Sequence, residues 1–130
     1  MSIVGIGSDL VSVARIRRLF ERYGSAFGRR ILTPSEKNDL EISKDPVAFL
    51  AKRFAAKEAI AKALGTGFRP AGVLLTDIGV HHDPGGRPYL VCTGGAAQAM
   101  QKQQVFASHL SLSDEREFAL AFVVLVGVVL

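Results

Sequence analysis

The sequence predicts an α+β fold in which a mainly antiparallel sheet packs against one long helix and several shorter helices. An alanine-rich segment with helical end signals occupies the middle of the chain, and apolar segments typical of strands lie near both ends. The length of 130 residues suits one domain, and no repeat, low-complexity segment or long linker divides it. We therefore expect a compact single domain over residues 1–130.

The composition is ordinary for a globular protein, with 48% apolar and 22% charged residues. The formal net charge of +4 favours an acidic partner, which includes proteins, nucleotides and nucleic acids. The single cysteine, Cys92, cannot form an internal disulfide, so we expect a reducing, cytoplasmic compartment and a buried thiol rather than a nucleophile. Residues 118–130 are too few for a membrane-spanning helix, and residues 1–11 lack the pattern of a signal peptide.

The first predicted element is an apolar strand over residues 3–11 that glycine interrupts at Gly5 and Gly7. Glycine inside a strand indicates close approach of another backbone or of a ligand. Asp9 comes near the end of this strand, just before a predicted helix. Its carboxylate can be interpreted in two ways: it caps that helix, or it coordinates a group in a binding site.

A basic face distinguishes the helix that follows. Apolar residues recur at steps of three and four over residues 13–27, which predicts an amphipathic helix. Arg15, Arg18 and Arg22 follow the same steps on another face. Such a face is usually solvated, but it also suits docking of an acidic helix. Residues 33–36 have the form of a capping box with proline at the first helical position, so a short helix begins there.

A long helix is predicted over residues 46–64, where Asp-Pro at the start and glycine at the end are the boundary signals. Phe54, Glu58 and Lys62 are spaced by four residues, so they share one helical face. The pair of Glu58 and Lys62 has two interpretations. It is either an ordinary solvated ion pair or part of a charged site at the edge of the core.

The remaining segments predict a glycine-rich loop, further strands and a short helix. The loop over residues 65–72 either stops the long helix or brings backbone N–H groups to a phosphate. Strands are predicted over residues 73–81, 88–92 and 107–113 and from residue 118 onward, with a turn at 83–86 and a helix over 95–104. His109 lies on the polar face of its strand, and the valine-rich last strand is expected to be buried on both faces.

Asp9 and Glu58 come from different elements, and Lys62 lies one turn beyond Glu58. Mg²⁺ takes hard oxygen ligands, usually one or two carboxylates together with phosphates and water. Two carboxylates and an ammonium are therefore the groups that a magnesium–pyrophosphate site requires. Zinc is disfavoured because His81 and His82 point to opposite faces of a strand, and the sequence contains no nucleotide-binding glycine motif and no RNA-binding motif.

In combination these motifs closely resemble those of the holo-acyl-carrier-protein synthases, which are small 4′-phosphopantetheinyl transferases. The resemblance rests on residues 5–11, 29–33 with Glu36, 49–59 with Lys62, 65–67, 86–88, 109–113 and 117–119. These segments follow the order of the family and span nearly the whole chain. The specific signal is the combination of Asp9 with Lys57, Glu58 and Lys62. At Asp114 the chain departs from relatives that carry histidine there.

The resemblance implies the phosphopantetheinyl transferase fold and the family's reaction, which belongs to fatty acid biosynthesis. In that reaction the 4′-phosphopantetheine group moves from coenzyme A to a serine of apo acyl carrier protein, and 3′,5′-ADP is released. The resemblance also implies that Asp9 and Glu58 hold Mg²⁺ and that Lys62 offsets phosphate charge. These three residues are then the catalytic set.

Substrate contacts and assembly also follow from the resemblance. Coenzyme A is expected to contact Arg53, Lys62, Gly65, Thr66, Gly67 and His109. Arg15, Arg18 and Arg22 are expected to bind the acidic carrier protein. We expect a homotrimer with a site between neighbouring subunits, no nucleic acid partner and no membrane span. Two alternatives stay open, which are a broader transferase for polyketide or peptide carrier proteins and a non-catalytic module that binds a carrier protein or a nucleotide.

Overall fold

The computed structural model describes residues 1–66 and 73–128, which form five α-helices and five strands. In chain order these are β1 (Ser2–Ser12), α1 (Val13–Tyr23), α2 (Ser25–Ile31), α3 (Pro34–Ile42), α4 (Pro46–Leu64), β2 (Ile78–His82), β3 (Pro88–Cys92), α5 (Gly94–Lys102), β4 (Val105–Asp114) and β5 (Phe118–Gly127). Within these two ranges no helix is long and apolar enough to cross a membrane.

The strands form two antiparallel sheets. In the larger sheet β5 lies between β1 and β4, so β1 and β4 are its edge strands, and in the smaller sheet β2 pairs with β3. The long helix α4 packs against one face of the larger sheet, which we call the inner face. The opposite face is called the outer face below. This arrangement confirms the predicted α+β class, with an antiparallel sheet packed against a long helix.

The boundaries of α4 are the predicted ones because local signals set them. The Asp45 side chain accepts a hydrogen bond of 3.1 Å from the Ala48 N–H, and proline occupies the first helical position. At the other end Gly65 takes a left-handed conformation with φ +74° and donates its N–H back to the last turn. The side chain of Gln103 also caps this end, donating to the Leu64 carbonyl at 2.8 Å.

The two glycines of β1 determine how the strand lies on α4. A Cβ atom at Gly5 would collide with the Ala63 carbonyl oxygen, and one at Gly7 would collide with the Ala59 carbonyl oxygen. Only glycine therefore allows the backbone of β1 to lie directly on the backbone of α4. The predicted close approach is confirmed, and the approaching group is a helix backbone.

Two predicted elements are wrong in extent. The helix predicted over residues 13–27 is two helices, because Gly24 breaks it with φ +56° while its N–H bonds the Phe20 carbonyl. The strand predicted over residues 73–81 begins only at Ile78. A 3₁₀ turn, Leu75–Asp77, precedes it, and the Asp77 carboxylate accepts the Leu74 N–H at 3.1 Å.

The prediction that the last strand is buried on both faces is wrong for the single chain. Along β5 the side chains of Ala119, Ala121, Val123 and Leu125 are buried on the inner face. The alternate residues Phe118, Leu120 and Phe122 lie on the outer face and are exposed. The physical reason is that α4 covers the inner face only, so burial follows the period of two along the strand.

Candidate active site

Asp9 and Lys62 meet where β1 lies on α4. The Lys62 Nζ atom is 3.0 Å from Asp9 Oδ1 and donates a second hydrogen bond of 3.0 Å to the Ser8 carbonyl. This contact follows from the glycine packing, which brings the β1 backbone within reach of a lysine on the helix. The interpretation of Asp9 as a helix N-cap is wrong, because the Ser12 hydroxyl caps α1 by accepting from the Arg15 N–H at 3.3 Å.

Glu58 lies one turn before Lys62 on the same face of α4 and is partly buried. Its pKa is raised above the ordinary value, first by burial and then by the negative charge of Asp9, while Lys62 and Arg15 act in the opposite direction. Asp9 and Glu58 are therefore close enough to repel each other. We call Asp9, Glu58 and Lys62 the open cluster, which carries two carboxylates and one ammonium.

The open cluster fits Mg²⁺. In the part of the chain that the structure describes, no group of three or more His, Cys, Asp or Glu side chains is arranged to hold a metal. Asp9 and Glu58, whose charges interact, offer a pair of oxygen donors that leaves the other coordination positions to water or to phosphate. Mg²⁺ prefers this arrangement, since it keeps several waters and is usually held by one or two carboxylates together with substrate phosphates. A cation would also relieve the repulsion between the two carboxylates, which adds to the effect of burial on the pKa of Glu58.

A cleft of about 310 Å³ opens beside the open cluster. It is lined by Ile6, Gly7, Ser8, Lys62 and Phe122. Because β1 is an edge strand, the cleft passes around that edge, from Lys62 near the helix to Phe122 on the outer face. A ligand held at the open cluster can therefore extend along the rim of the sheet.

The three arginines predicted to bind a carrier protein are all exposed on α1. The Arg15 guanidinium lies 5.8 Å from the ring centre of Phe54, the residue that begins the helical stripe of Glu58 and Lys62. Arg22 lies over the neighbouring Tyr23 ring at 5.3 Å. Arg15 therefore connects the basic face of α1 to the open cluster.

Arg53 projects from a different side of α4 and does not join the open cluster. Its guanidinium is buried, with Cζ 4.3 Å from the ring centre of Phe49 and Nε 3.4 Å from Glu36 Oε2 of α3. In the described part of the chain, Arg53 Nε is the buried side-chain atom that has no hydrogen-bond acceptor. The predicted coenzyme A contact is thus a buried cation whose Nε faces the Glu36 carboxylate without a hydrogen bond to it.

His109 lies away from the open cluster of its own chain. It is exposed on the outer face of β4, opposite Val124 of β5, which in turn pairs with Ile6 of β1. Two strand spacings, about 9–10 Å, therefore separate His109 from β1 across the sheet. The predicted loop residues are only partly described, since Gly65 ends α4, Thr66 follows it, and Gly67 lies outside the described residues.

Comparison with known proteins identifies the family. The profile of the 4′-phosphopantetheinyl transferase superfamily matches residues 5–123. The chain belongs to this superfamily. The holo-[acyl-carrier-protein] synthase of Nitrosococcus oceani is 52% identical, over 96% of this chain and 80% of the relative. That of Halorhodospira halophila is also 52% identical, over 95% of this chain and 98% of the relative.

Solved structures of similar transferases agree with this family. A holo-[acyl-carrier-protein] synthase from Neisseria meningitidis superposes with a TM-score of 0.89 at 47% identity, covering 95% of this chain and 98% of its own. One from Helicobacter pylori, solved in complex with coenzyme A, has a TM-score of 0.80 at 32% identity, covering 93% of this chain and 99% of its own. The predicted resemblance and the predicted enzyme class, a phosphopantetheinyl transferase, are confirmed.

This transferase has a second group of charges that was not predicted from the sequence. Glu36, Arg53 and Lys57 form what we call the buried cluster, in which Glu36 and Lys57 are fully buried. The Glu36 carboxylate accepts a hydrogen bond from Lys57 Nζ at 2.7 Å. The capping-box motif predicts only its other hydrogen bond, from the Thr33 N–H. The available signal was a lysine among buried alanines of α4, since a fully buried lysine requires a partner.

Proposed function

We propose that this chain transfers the 4′-phosphopantetheine group from coenzyme A to a serine of apo acyl carrier protein and releases 3′,5′-ADP. The proposal includes Mg²⁺ as cofactor, a role in cytoplasmic fatty acid biosynthesis and one transferase domain over residues 1–130. The observation that carries it is the open cluster, in which two carboxylates and a lysine meet beside a cleft. Membership of the superfamily and relatives of the same activity at 52% identity support it.

Asp9 and Glu58 would hold Mg²⁺, which when bound neutralises pyrophosphate charge. The transfer forms a bond between the serine oxygen and the β-phosphorus of coenzyme A, and the serine loses its proton. The bond from that phosphorus to the bridging oxygen breaks, and 3′,5′-ADP leaves with this oxygen. Lys62 Nζ, within 3.0 Å of Asp9, is positioned to stabilise the charge that develops on the phosphates.

Coenzyme A would also contact the residues beyond the open cluster. Arg53 supports an anionic contact because two cations share one carboxylate in the buried cluster, and Lys57 is the closer partner of that carboxylate. Gly65, Thr66 and Gly67 would lie near the phosphates at the end of α4. His109 would contact the nucleotide of a coenzyme A bound at a neighbouring subunit, since β5 lies between its strand and β1, which carries Asp9 of the open cluster.

The carrier protein would dock on α1 through Arg15, Arg18 and Arg22, an exposed basic face that matches an acidic helix. Arg15 is in electrostatic range of Glu58, so a helix docked on this face would present its serine near the open cluster. This geometry links the docking surface to the position of the reacting group.

We propose a cyclic homotrimer in which β5 and the rest of the outer face form the interface. The support is an exposed apolar surface on that face, where Ile6 is 60%, Leu10 62% and Phe122 44% exposed. Phe122 also lines the cleft beside Lys62, so a subunit that covers the face would enclose the cleft. Sedimentation velocity at micromolar concentration should give three times 13.9 kDa. A monomer with full activity would contradict the shared site.

Intact mass spectrometry of apo acyl carrier protein incubated with coenzyme A and the enzyme tests the activity. We expect the carrier to gain the mass of one phosphopantetheine group in the presence of Mg²⁺ and no mass after chelation of the metal. A carrier that binds but gains no mass would indicate the non-catalytic module. A panel of fatty acid, polyketide and peptide carrier proteins then distinguishes the narrow transferase from the broad one.

A further inference from the structure

The buried cluster contains a carboxylate that is held at four points. Glu36 Oε1 accepts from the Thr33 N–H at 2.9 Å and from Lys57 Nζ at 2.7 Å. Glu36 Oε2 accepts from the Val80 N–H at 3.0 Å and lies 3.4 Å from Arg53 Nε. Each oxygen thus faces one backbone donor and one cation. The carboxylate cannot rotate without losing contacts to α3, α4 and β2 together.

Lys57 is fully occupied within this cluster. Its ammonium donates to Glu36 Oε1, to the Leu75 carbonyl at 3.0 Å and to the Ile78 carbonyl. A lysine has three donors, so none is left for a ligand. Burial lowers the pKa of Lys57, and the charge of Glu36 opposes that change. Lys57 is therefore a structural counter-charge, although it stands next to Glu58 in the chain.

Arg53 carries the charge that remains. One carboxylate and two cations leave the buried cluster with an excess positive charge, and Lys57 is the closer partner of Glu36. The Arg53 guanidinium is held against the Phe49 ring on one side and by Glu36 at its Nε edge. At β2 the pKa of His82 is lowered first by burial and then by Arg53 and Lys52, while Asp39 and Asp83 act in the opposite direction.

We infer that Glu36 is a positioning residue for coenzyme A: it fixes the buried guanidinium of Arg53 in the orientation that receives a phosphate of the coenzyme. This inference rests on the proposed function, because Arg53 is a coenzyme A contact only in that proposal. Glu36 itself is fully buried, so its side chain offers no surface to a ligand. Its effect on coenzyme A binding must therefore act through Arg53.

A double-mutant cycle measures this dependence. All four proteins carry Lys57→Met, so that removing the Glu36 charge leaves no unpaired lysine in the core. The cycle then compares Glu36→Gln with and without Arg53→Ala, and calorimetric titration gives the dissociation constant of coenzyme A without turnover. We expect Glu36→Gln to raise that constant about tenfold where Arg53 is present and less than twofold where Arg53 is alanine. The KM of the carrier protein should change less than twofold in both cases.

A matched control separates positioning from loss of stability. Thr33→Ala removes the hydroxyl that caps α3 and costs about 1 kcal/mol of stability, but it leaves the contact of Glu36 with Arg53 in place. The coenzyme A dissociation constant should stay within twofold of wild type. If the Lys57→Met proteins do not fold, Glu36→Asp in the wild-type and Arg53→Ala backgrounds provides the same cycle, because the shorter side chain retracts from Arg53.

Equal effects of the Glu36 substitution with and without Arg53 would overturn the inference and give Glu36 a structural role only. An equal rise in the carrier protein's KM would overturn it as well. Both results are distinct from failure of the proposed function, in which the wild-type enzyme adds no mass to the carrier protein. The dissociation constants of coenzyme A decide the cycle whether or not transfer occurs, and the KM of the carrier protein is a second check where transfer occurs.

Discussion

Two sides of α4 carry charge clusters of opposite character. The open cluster has two carboxylates and one ammonium, and the side chain of its Lys62 is 56% exposed. The buried cluster has one carboxylate and two cations, and its Lys57 and Glu36 are fully buried. One side of the helix thus has excess negative charge beside a cleft, and the other has excess positive charge in the core. The first suits a cation and the second an anion.

Two lysines of one helix, five residues apart, have different surroundings. Lys57 donates all three of its N–H groups to fixed protein acceptors. Lys62 bonds Asp9 and the Ser8 carbonyl and remains exposed to a ligand. Hydrogen-bond saturation and burial, rather than residue type, therefore distinguish the buried structural lysine from the lysine that a ligand can reach.

The largest expected effect is a loss of stability on substitution in the buried cluster. Lys57→Met leaves three acceptors without their donor and removes a partner from a buried ion pair, so we expect a loss of about 3–5 kcal/mol in the free energy of unfolding. Urea denaturation measures it. Adding Glu36→Gln should not restore the loss, because Arg53 is then a buried cation without its carboxylate partner. A change below about 1 kcal/mol in the single variant would show that the buried pair is not structural.

On the open side, Asp9→Asn should lower the transfer rate by roughly 10²–10³-fold, as the loss of one preorganised charge-stabilising group does. Stability should change by less than about 1 kcal/mol, because the lysine of this ion pair is exposed. Single-turnover transfer and thermal unfolding measure the two effects. Asp45→Asn is the control, since it removes a carboxylate from the start of α4 and preserves the N-cap. It should leave the rate within twofold of wild type.

A smaller effect is expected for substitutions on the basic face of α1, next to the open cluster. Reversing Arg18 and Arg22 to glutamate should raise the carrier protein's KM about tenfold at low salt, and the effect should shrink as added salt screens exposed charges. Arg17→Glu, on another face of the same helix, is the matched control and should have little effect. If coenzyme A binding weakens to the same degree, the arginines support the fold or the site rather than docking.

The smallest effect concerns Cys92, on the strand that pairs with Ile78 near the buried cluster. Burial raises the pKa of this thiol to about 11 from 9.0. The folded protein therefore holds the thiol proton where the unfolded chain loses it, so this group's contribution to stability falls as the pH rises from 9 toward 11. Iodoacetamide should modify Cys92 more slowly than a free cysteine at pH 8. A modification rate equal to that of free cysteine would mean that solvent reaches Cys92 beside the buried cluster.

The sequence predicted those parts of the fold that local signals set. Residues 45–46 and 65 mark the ends of α4, and the capping box marks the start of α3. Gly24 was missed as a helix break because glycine is also tolerated inside helices, and its positive φ depends on how α1 and α2 pack. The burial of the outer face of β5 was predicted wrongly for the single chain. An apolar strand has the same sequence pattern whether its own chain or another chain covers it.

The open cluster was predicted through Asp9, Glu58 and Lys62, which a helical spacing and a family motif make recognisable. The buried cluster was not, because Glu36 and Lys57 are 21 residues apart and meet only through the packing of α3 on α4. No spacing rule links residues at such a distance. The same limit applies to His109, whose distance from the open cluster follows from sheet order.

The central claim is that the open cluster carries the chemistry and the buried cluster only supports it. The most direct test of this claim compares single-turnover transfer by Glu58→Gln with that by Lys57→Met. Both variants are measured side by side, at saturating substrates and at a temperature where both are folded. We predict that Glu58→Gln keeps wild-type stability and transfers roughly 10²–10³-fold more slowly. Lys57→Met should lose stability and keep a rate within about tenfold of wild type. Rapid transfer by Glu58→Gln, or a larger loss of rate in Lys57→Met, would contradict the account.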